Sequence, residues 1–426
     1  MGDAKISPRT APGHGAGHDA GHGAGHRAEC VHCGRCLSVC PLFAATGLEE
    51  TAPRAKFLLE RALAHGEAGL SEAEAVRLAG LCLSCRRCAK ACPEGLDAPE
   101  LVAEFRRTHP GWQSALWKLW IGRASALWPM GSFLSRLLPE AVADALPGRA
   151  GQAVAKLRAL HAARRVRPWL RFARPENPGN TALSGESGKA QGPCGKDAKA
   201  VLFSGCTARH LRPDWSGKAQ GLLRGAGFAV APEPDFACCG YTLGSAGCAA
   251  EQRAARERNL AAWRAAGRPL LVTFCATCRA GLAAYADADL GWEPGEADAW
   301  RAAVQPLAAL LGEAAFTVMV ETAPARAHYH RPCHAPSDDP DEAMLRRAAG
   351  DVLGRVSRDN CCGLGGVLQV AAPELTGRVA EQAWKFFDAN SGDQVISGCS
   401  GCVLQLMSTA PGGVDVCHWL DAVADS

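Results

Sequence analysis

Two near-identical cysteine ladders constrain this chain more than any other feature. The first is Cys30-Val-His-Cys33-Gly-Arg-Cys36-Leu-Ser-Val-Cys40-Pro41 and the second is Cys82-Leu-Ser-Cys85-Arg-Arg-Cys88-Ala-Lys-Ala-Cys92-Pro93. Each spells C-x2-C-x2-C-x3-C-P, the spacing that wraps three thiolates around three corners of a [4Fe–4S] cube while a remote fourth closes the last corner. The proline ends the local turn and removes one backbone donor. Structural zinc takes four ligands, usually as two short C-x-x-C pairs, and gives no reason for this run to appear twice.

The pair of runs resembles bacterial two-cluster ferredoxins, in which the fourth cysteine of each run ligates the other cluster. The resemblance implies one cube on Cys30, Cys33, Cys36 and Cys92, and another on Cys82, Cys85, Cys88 and Cys40. Forty-one residues separate Cys40 from Cys82. Arg54-Ala-Lys-Phe-Leu-Leu-Glu-Arg-Ala-Leu-Ala, with Pro53 before it, has helical apolar spacing, and Ser71-Glu-Ala-Glu is a capping box that opens a second helix to about Leu81. That is too long and too helical for a hairpin-built ferredoxin. It is similar to the helical ferredoxin domain of succinate dehydrogenase iron–sulfur subunits.

A chain of 426 residues with 21 cysteines makes two or three domains. The cysteines come as CxxC and adjacent pairs, and the first residues carry no apolar secretory core. Metal ligation in a reducing cytoplasm is therefore expected over disulfides. The 46 basic and 43 acidic residues leave a net charge of +3, which gives no footprint for nucleic acid. No uncharged apolar stretch reaches spanning length, so contact with a membrane, on its inner face, is peripheral at most. Residues 112–138 come closest, with Trp112, Trp117, Trp120 and Trp128 among Lys118, Arg123 and Arg136. The mixture suits a membrane surface. Few basic residues line it, however, and the preferred reading is a packing helix whose aromatics cover the cluster domain.

The expected organisation is α+β and multidomain. Residues 1–28 form a tail with His14, His18, His22 and His26 at every fourth position, either a metal-binding tract or an unstructured Gly/Ala/His segment. Residues 29–105 form the helical ferredoxin domain, 106–173 a helical connector, and 174–198 a Pro/Gly/Ser linker carrying Cys194. Two α/β domains follow, at 199–300 and 301–426.

Those two domains read as a duplication. The first copy is Val-Leu-Phe-Ser-Gly-Cys206, then 31 residues to Cys238-Cys239-Gly240, and Cys275-Ala-Thr-Cys278 begins 35 positions after Gly240. The second is His328-Tyr-His-Arg-Pro-Cys333-His334, then 27 residues to Cys361-Cys362-Gly363, and Cys399-Ser-Gly-Cys402 begins 36 positions after Gly363. Short β-prone runs (Val201–Ser204, Leu270–Phe274, Ala327–His330, Gln394–Ser397) end at cysteines, and helix-like sequence follows each CxxC. Strand, cysteine turn and helix make a βα unit, in which a helix N-terminus lowers thiol pKa. Gly240 and Gly363 are expected to allow positive φ or close backbone approach.

The paired CCG spacing with His-Arg-Pro-Cys333-His334 resembles the cysteine-rich CCG-domain proteins, which include heterodisulfide reductase subunits and the iron–sulfur subunits of glycolate oxidase and D-lactate dehydrogenases. Two ferredoxin runs followed by two CCG copies look most like the glycolate oxidase iron–sulfur subunit, over residues 29–420. The resemblance implies one further iron–sulfur cluster on Cys206, Cys238, Cys239, Cys275 and Cys278, and another on Cys333, Cys361, Cys362, Cys399 and Cys402. Each is a non-cubane [4Fe–4S] cluster, a single cube with an idle cysteine, or a zinc site. The trimmed first gap of the second copy and Ala335 in place of the family's leucine leave the cluster type open. The implied function is electron transfer within an oxidoreductase. An FAD-containing 2-hydroxyacid (glycolate or D-lactate) dehydrogenase subunit passes electrons through this chain to a quinone or another carrier. The alternative is a disulfide reductase acting at the CCG clusters. His328, His330, His334 and His418 are candidates to tune a cluster through hydrogen bonds. Cys248 and Cys417 read as small buried residues, and Gly363-Leu-Gly-Gly366 offers no nucleotide site.

Overall fold

The computed structural model describes residues 29–65, 69, 71–139, 146, 148–161, 166–173, 199–312 and 314–425. The histidines of segment 1–28 and Cys194 of segment 174–198 lie outside the described residues.

The C-terminal half holds most of the strands. They are Leu170–Ala173 (β1), Lys199–Leu202 (β2), Ala229–Ala231 (β3), Leu270–Thr273 (β4), Val304–Pro306 (β5), Ala315–Val318 (β6), Ala327–His330 (β7), Leu353–Ser357 (β8), Gln394–Ser397 (β9) and Asp415–His418 (β10). Two four-stranded sheets form, in the orders β3-β2-β4-β5 and β8-β7-β9-β10, and every pairing within them is parallel. Counted within its own copy, each sheet has the order 2-1-3-4, so the duplicated cysteine pattern is a duplicated fold. Buried on both faces, the strands are near-continuous apolar runs such as Ala200-Val-Leu.

The division expected at 300/301 is displaced. Val304 pairs with Leu271 and Gln305 with Val272, so the first sheet extends past it, because Val304 must cover the open edge of β4. The connector also ends differently from expectation. Its last residues are strand β1, which pairs antiparallel with β6. Trp169, fully buried beside it, donates its indole N–H to Gln394 at 2.8 Å.

In the N-terminal part, helices span Pro53–His65 and Glu72–Ala79. The second opens on the expected capping box, with Ser71 accepting from the Glu74 amide and the Glu74 carboxylate accepting from the Ser71 amide. A third helix, Ala98–Thr108, begins at Asp97, whose side chain accepts from the Glu100 amide.

The connector forms helices at Trp112–Gly122, Ala124–Leu137 and Gly148–Ala159. Trp117 and Trp128 are buried, but they do not cover the ferredoxin domain. Trp117 packs with Leu243, Ala246, Cys248 and Val367, and Trp128 with Leu160 against Cys206, Leu211 and Leu404. Four tryptophans in 27 residues exceed what one inward face accommodates, and Trp112 stays exposed. Among the described residues no helix is long and apolar enough to cross a membrane.

Candidate metal centres

Both ladders use one backbone device. His32 and Gly34 in the first, and Ser84 and Arg86 at the same offsets in the second, have φ between +54° and +78°. Two left-handed residues within five turn the chain tightly enough for neighbouring thiols to face one centre. Short helices, Arg35–Ser38 and Arg87–Ala91, then carry the third cysteine. One cavity is lined by Cys30, Cys33, Cys36 and Cys92, and a second by Cys40, Cys82, Cys85 and Cys88. The fourth cysteines are thus exchanged between the ladders. Cys88 also reaches the wall of the first cavity. Burial pushes the Cys36, Cys40 and Cys88 thiols up.

In each copy the CCG cysteines follow the carboxyl ends of the first three strands in chain order: Cys206 and Cys333 the first, Cys238-Cys239 and Cys361-Cys362 the second, and Cys275 and Cys399 the third, beside the point where the winding reverses. Open parallel sheets place ligands in that crevice. Cys275 and Cys399 precede the helices Ala276–Ala283 and Ser400–Met407, and Cys278 and Cys402 lie one turn inside them. Neighbouring thiols lie close enough to shift one another's pKa. Cys206 and Cys239 hold Cys238 well below the usual thiol range, Cys278 and Cys399 do so for Cys275, and Cys333 and Cys362 for Cys361. The Cys275–Cys399 contact joins the two copies, so the ten thiols form one array. Thr277 Oγ1 lies 3.2 Å from Cys399 Sγ at the junction, and the Ala276 amide donates to the Gly398 carbonyl. In both copies the glycine amide of the CCG triplet donates to the sulfur of the first cysteine, at 3.5 Å for Gly240 and 3.4 Å for Gly363. Both glycines have positive φ, +77° and +86°.

Five thiols linked neighbour to neighbour in each copy exceed the four ligands of tetrahedral zinc and fit the soft, sulfur-rich donor set of an iron–sulfur cluster. A nitrogen of His330 lies within 4.8 Å of the sulfurs of Cys362 and Cys402, and its buried Nε2 has no hydrogen-bond partner. Burial lowers its pKa to about 4, so the ring is neutral. His334 also reaches the site, with Nδ1 3.0 Å from Thr277 Oγ1. His418 instead bonds the Phe274 carbonyl and the Leu420 amide. His328 accepts from the Arg355 amide at the opposite end of its strand. Cys248 and Cys417 are buried small residues.

The ferredoxin domain is seated on the CCG pair. Cys85, Leu83, Cys40 and Leu42 share a core with Cys361, Leu368 and Val379, with Cys333 packed against it. The Ser84 carbonyl accepts from Tyr241 of the first copy at 3.0 Å and lies 3.4 Å from His334 Nε2 of the second. Arg87 donates to the carbonyls of Arg358, Asp359 and Asn360, and Arg106 to those of Gly80 and Ser245.

Sequence reasoning missed these basic residues, and Lys56 above all. Lys56 is 1% exposed, lines the second cavity and donates to the carbonyls of Glu50 and Leu78. Burial lowers its pKa to about 8, opposed by Cys82 and Cys40. A lysine in the middle of the apolar face Ala55-Lys-Phe is the signal that could have found it.

Comparison with known proteins agrees with this geometry. The 4Fe-4S dicluster domain family matches residues 29–97, and the cysteine-rich domain family matches residues 200–283 and 327–407. Together they cover more than half of the chain. A probable glycolate oxidase iron–sulfur subunit of Bacillus subtilis (strain 168) is 26% identical over 395 residues, covering 89% of this chain and 88% of that protein. The glycolate oxidase iron–sulfur subunit of Escherichia coli (strain K12) is 26% identical over 423 residues, covering 92% of each. With two exchanged ladders seated on a duplicated cysteine-rich fold, the chain belongs to the glycolate oxidase iron–sulfur subunit family.

Proposed function

We propose that this chain is the electron-transfer subunit of a flavin-dependent 2-hydroxyacid dehydrogenase. It carries electrons from an FAD-containing partner, which oxidises glycolate or D-lactate, to a quinone or another carrier. Cys30, Cys33, Cys36 and Cys92 hold one [4Fe–4S] cluster, and Cys40, Cys82, Cys85 and Cys88 a second. Cys206, Cys238, Cys239, Cys275 and Cys278 hold a third cluster, and Cys333, Cys361, Cys362, Cys399 and Cys402 a fourth. When bound, such clusters accept and release single electrons, which suits them to a flavin that takes two at once.

One observation carries the reading: the four cysteine sets adjoin in sequence. The exchanged ladders share Cys88 at their boundary, Cys85 shares a core with Cys361, and Cys275 meets Cys399. Seven of the ten CCG cysteines are buried, and only Cys206, Cys238 and Cys333 are partly exposed. That suits internal carriage of electrons better than attack on a bulky disulfide.

The test is low-temperature EPR of the anaerobically isolated complex before and after adding glycolate or D-lactate. New reduced-cluster signals with either acid are expected. Silence with both, from clusters that dithionite still reduces, would sink the reading and favour a disulfide reductase.

A further inference from the structure

The hairpin of helices Trp112–Gly122 and Ala124–Leu137 is built inside out. Its buried positions are Ser114, Trp117, Ala124, Trp128, Ser132 and Ser135, while more of its large apolar side chains, Trp112, Leu116, Leu119, Met130, Phe133, Leu134 and Leu137, are exposed, between 44% and 67%. Among the described residues, only four other large apolar side chains are exposed, and they are scattered. A contiguous apolar face of this kind marks an interaction surface.

Its charge says which kind. Residues 112–138 contain Lys118, Arg123 and Arg136 and no aspartate or glutamate. Lys118 pairs with Glu251, whereas Arg123 and Arg136 are exposed and form no ion pair among the described residues. An apolar face edged by tryptophan, with free cations and no acid, matches the anionic interface of a bilayer. There aromatic and aliphatic side chains enter the headgroup boundary and arginines meet lipid phosphates. Surface binding needs two signals, and both are present on one hairpin.

We infer that this hairpin is a docking surface for an anionic membrane. Trp112, Leu116 and Leu119 from the first helix, and Phe133, Leu134 and Leu137 from the second, enter the interface, and Arg123 and Arg136 pair with phosphate. The inner side of the same hairpin packs through Trp128 against Cys206. Cys206 of the first CCG set therefore lies directly beneath this hairpin. The inference goes beyond the packing role of Trp117 and Trp128 and does not depend on which molecule accepts the electrons.

The test is flotation of the anaerobically purified complex with vesicles of phosphatidylglycerol and phosphatidylethanolamine, beside vesicles of phosphatidylcholine alone. Wild type is expected to float with the anionic vesicles. Phe133→Ser/Leu134→Ser/Leu137→Ser should weaken partitioning at least about tenfold, since each side chain removed from lipid costs a comparable factor. Arg123→Glu/Arg136→Glu should lose binding to anionic vesicles selectively, and raised salt should mimic it. Circular dichroism and visible absorbance report whether each variant is folded and loaded. Failure of wild type to float, or undiminished flotation of the triple serine variant, overturns the inference. Loss of the flavin partner from that variant, with wild type not floating, would overturn it in favour of a protein interface. Hydroxyacid oxidation with a soluble dye, read in parallel, reports on the proposed function separately, because it needs no bilayer.

Discussion

Gly240 and Gly363 occupy the same place in the two copies, yet alanine should have different consequences at each. Both positions have positive φ, and an L-residue held there costs about 1–2 kcal/mol. At Gly240 the added methyl would lie 3.2 Å from Gln252 Cγ, part of a flexible side chain that can move aside. At Gly363 it would lie 2.4 Å from the Thr376 carbonyl and 3.2 Å from the Ala380 amide. Those are backbone atoms of the helix Pro373–Phe387, so the helix or the Cys361–Cys362 turn must shift. Such overpacking adds about 1–3 kcal/mol. Gly240→Ala should therefore cost about 1–2 kcal/mol and Gly363→Ala about 2–5 kcal/mol. Over a unit the size of the CCG pair, that is an apparent midpoint lower by about 3–6 °C for the first variant and by about 10 °C for the second. The assay is a thermal scan of anaerobic protein alongside iron per chain. Gly240→Ala should keep its iron and Gly363→Ala should lose part of it. Equal effects at the two positions would refute the claim that backbone proximity decides the outcome.

Three further expectations can be checked. Lys56→Met removes a buried cation beside Cys40 and Cys82 and should lower the potential of the cluster in that cavity by about 50–100 mV, because the cation favours the more negative, reduced state; redox titration followed by EPR would show it, and an unchanged potential would rule out the electrostatic role. Cys92→Ser should abolish the cluster in the Cys30 cavity and leave the other in place, so loss of the signal belonging to Cys82, Cys85 and Cys88 instead would contradict the exchange. Glu296, 5% exposed, accepts from Arg264, Arg268 and the Glu293 amide, which hold its carboxyl down to about 2; Glu296→Gln should cost about 1–2 kcal/mol at pH 7. A depressed pKa contributes stability above the ordinary value of 4.5 that is lost as pH falls towards 2, so the gap from wild type, followed by chemical denaturation, should close on acidification below pH 4.5. A gap that widened there would reverse the assignment.

Spacing made the cysteine ladders and the CCG copies readable, because ligand separation is a local property that survives in a linear string. The capping box at Ser71 and Glu74 was readable for the same reason. The edge of the first sheet was not: Val304-Gln-Pro looks like the end of a helix, and only its pairing with β4 makes it a strand. Nor was the seating of one domain on the other, since Tyr241 finds Ser84 across 157 residues and Arg106 finds Ser245 across 139. The tryptophan-rich connector was ambiguous because its aromatics serve both sides. Trp117 and Trp128 pack inward and Trp112 faces out, and composition alone cannot divide them.

The burial of the CCG cysteines bears on the order of manufacture. Cys275, Cys278, Cys399 and Cys402 are buried, and the nearby Ser84 loop is fastened to both copies. If these cysteines hold clusters as proposed, loading of the CCG domains is expected to precede docking of the N-terminal domain. Cys33 and its neighbours, near the surface, can be filled, stripped and refilled in the finished protein. Damage by oxygen should accordingly be repairable at the front of the molecule and permanent at its centre.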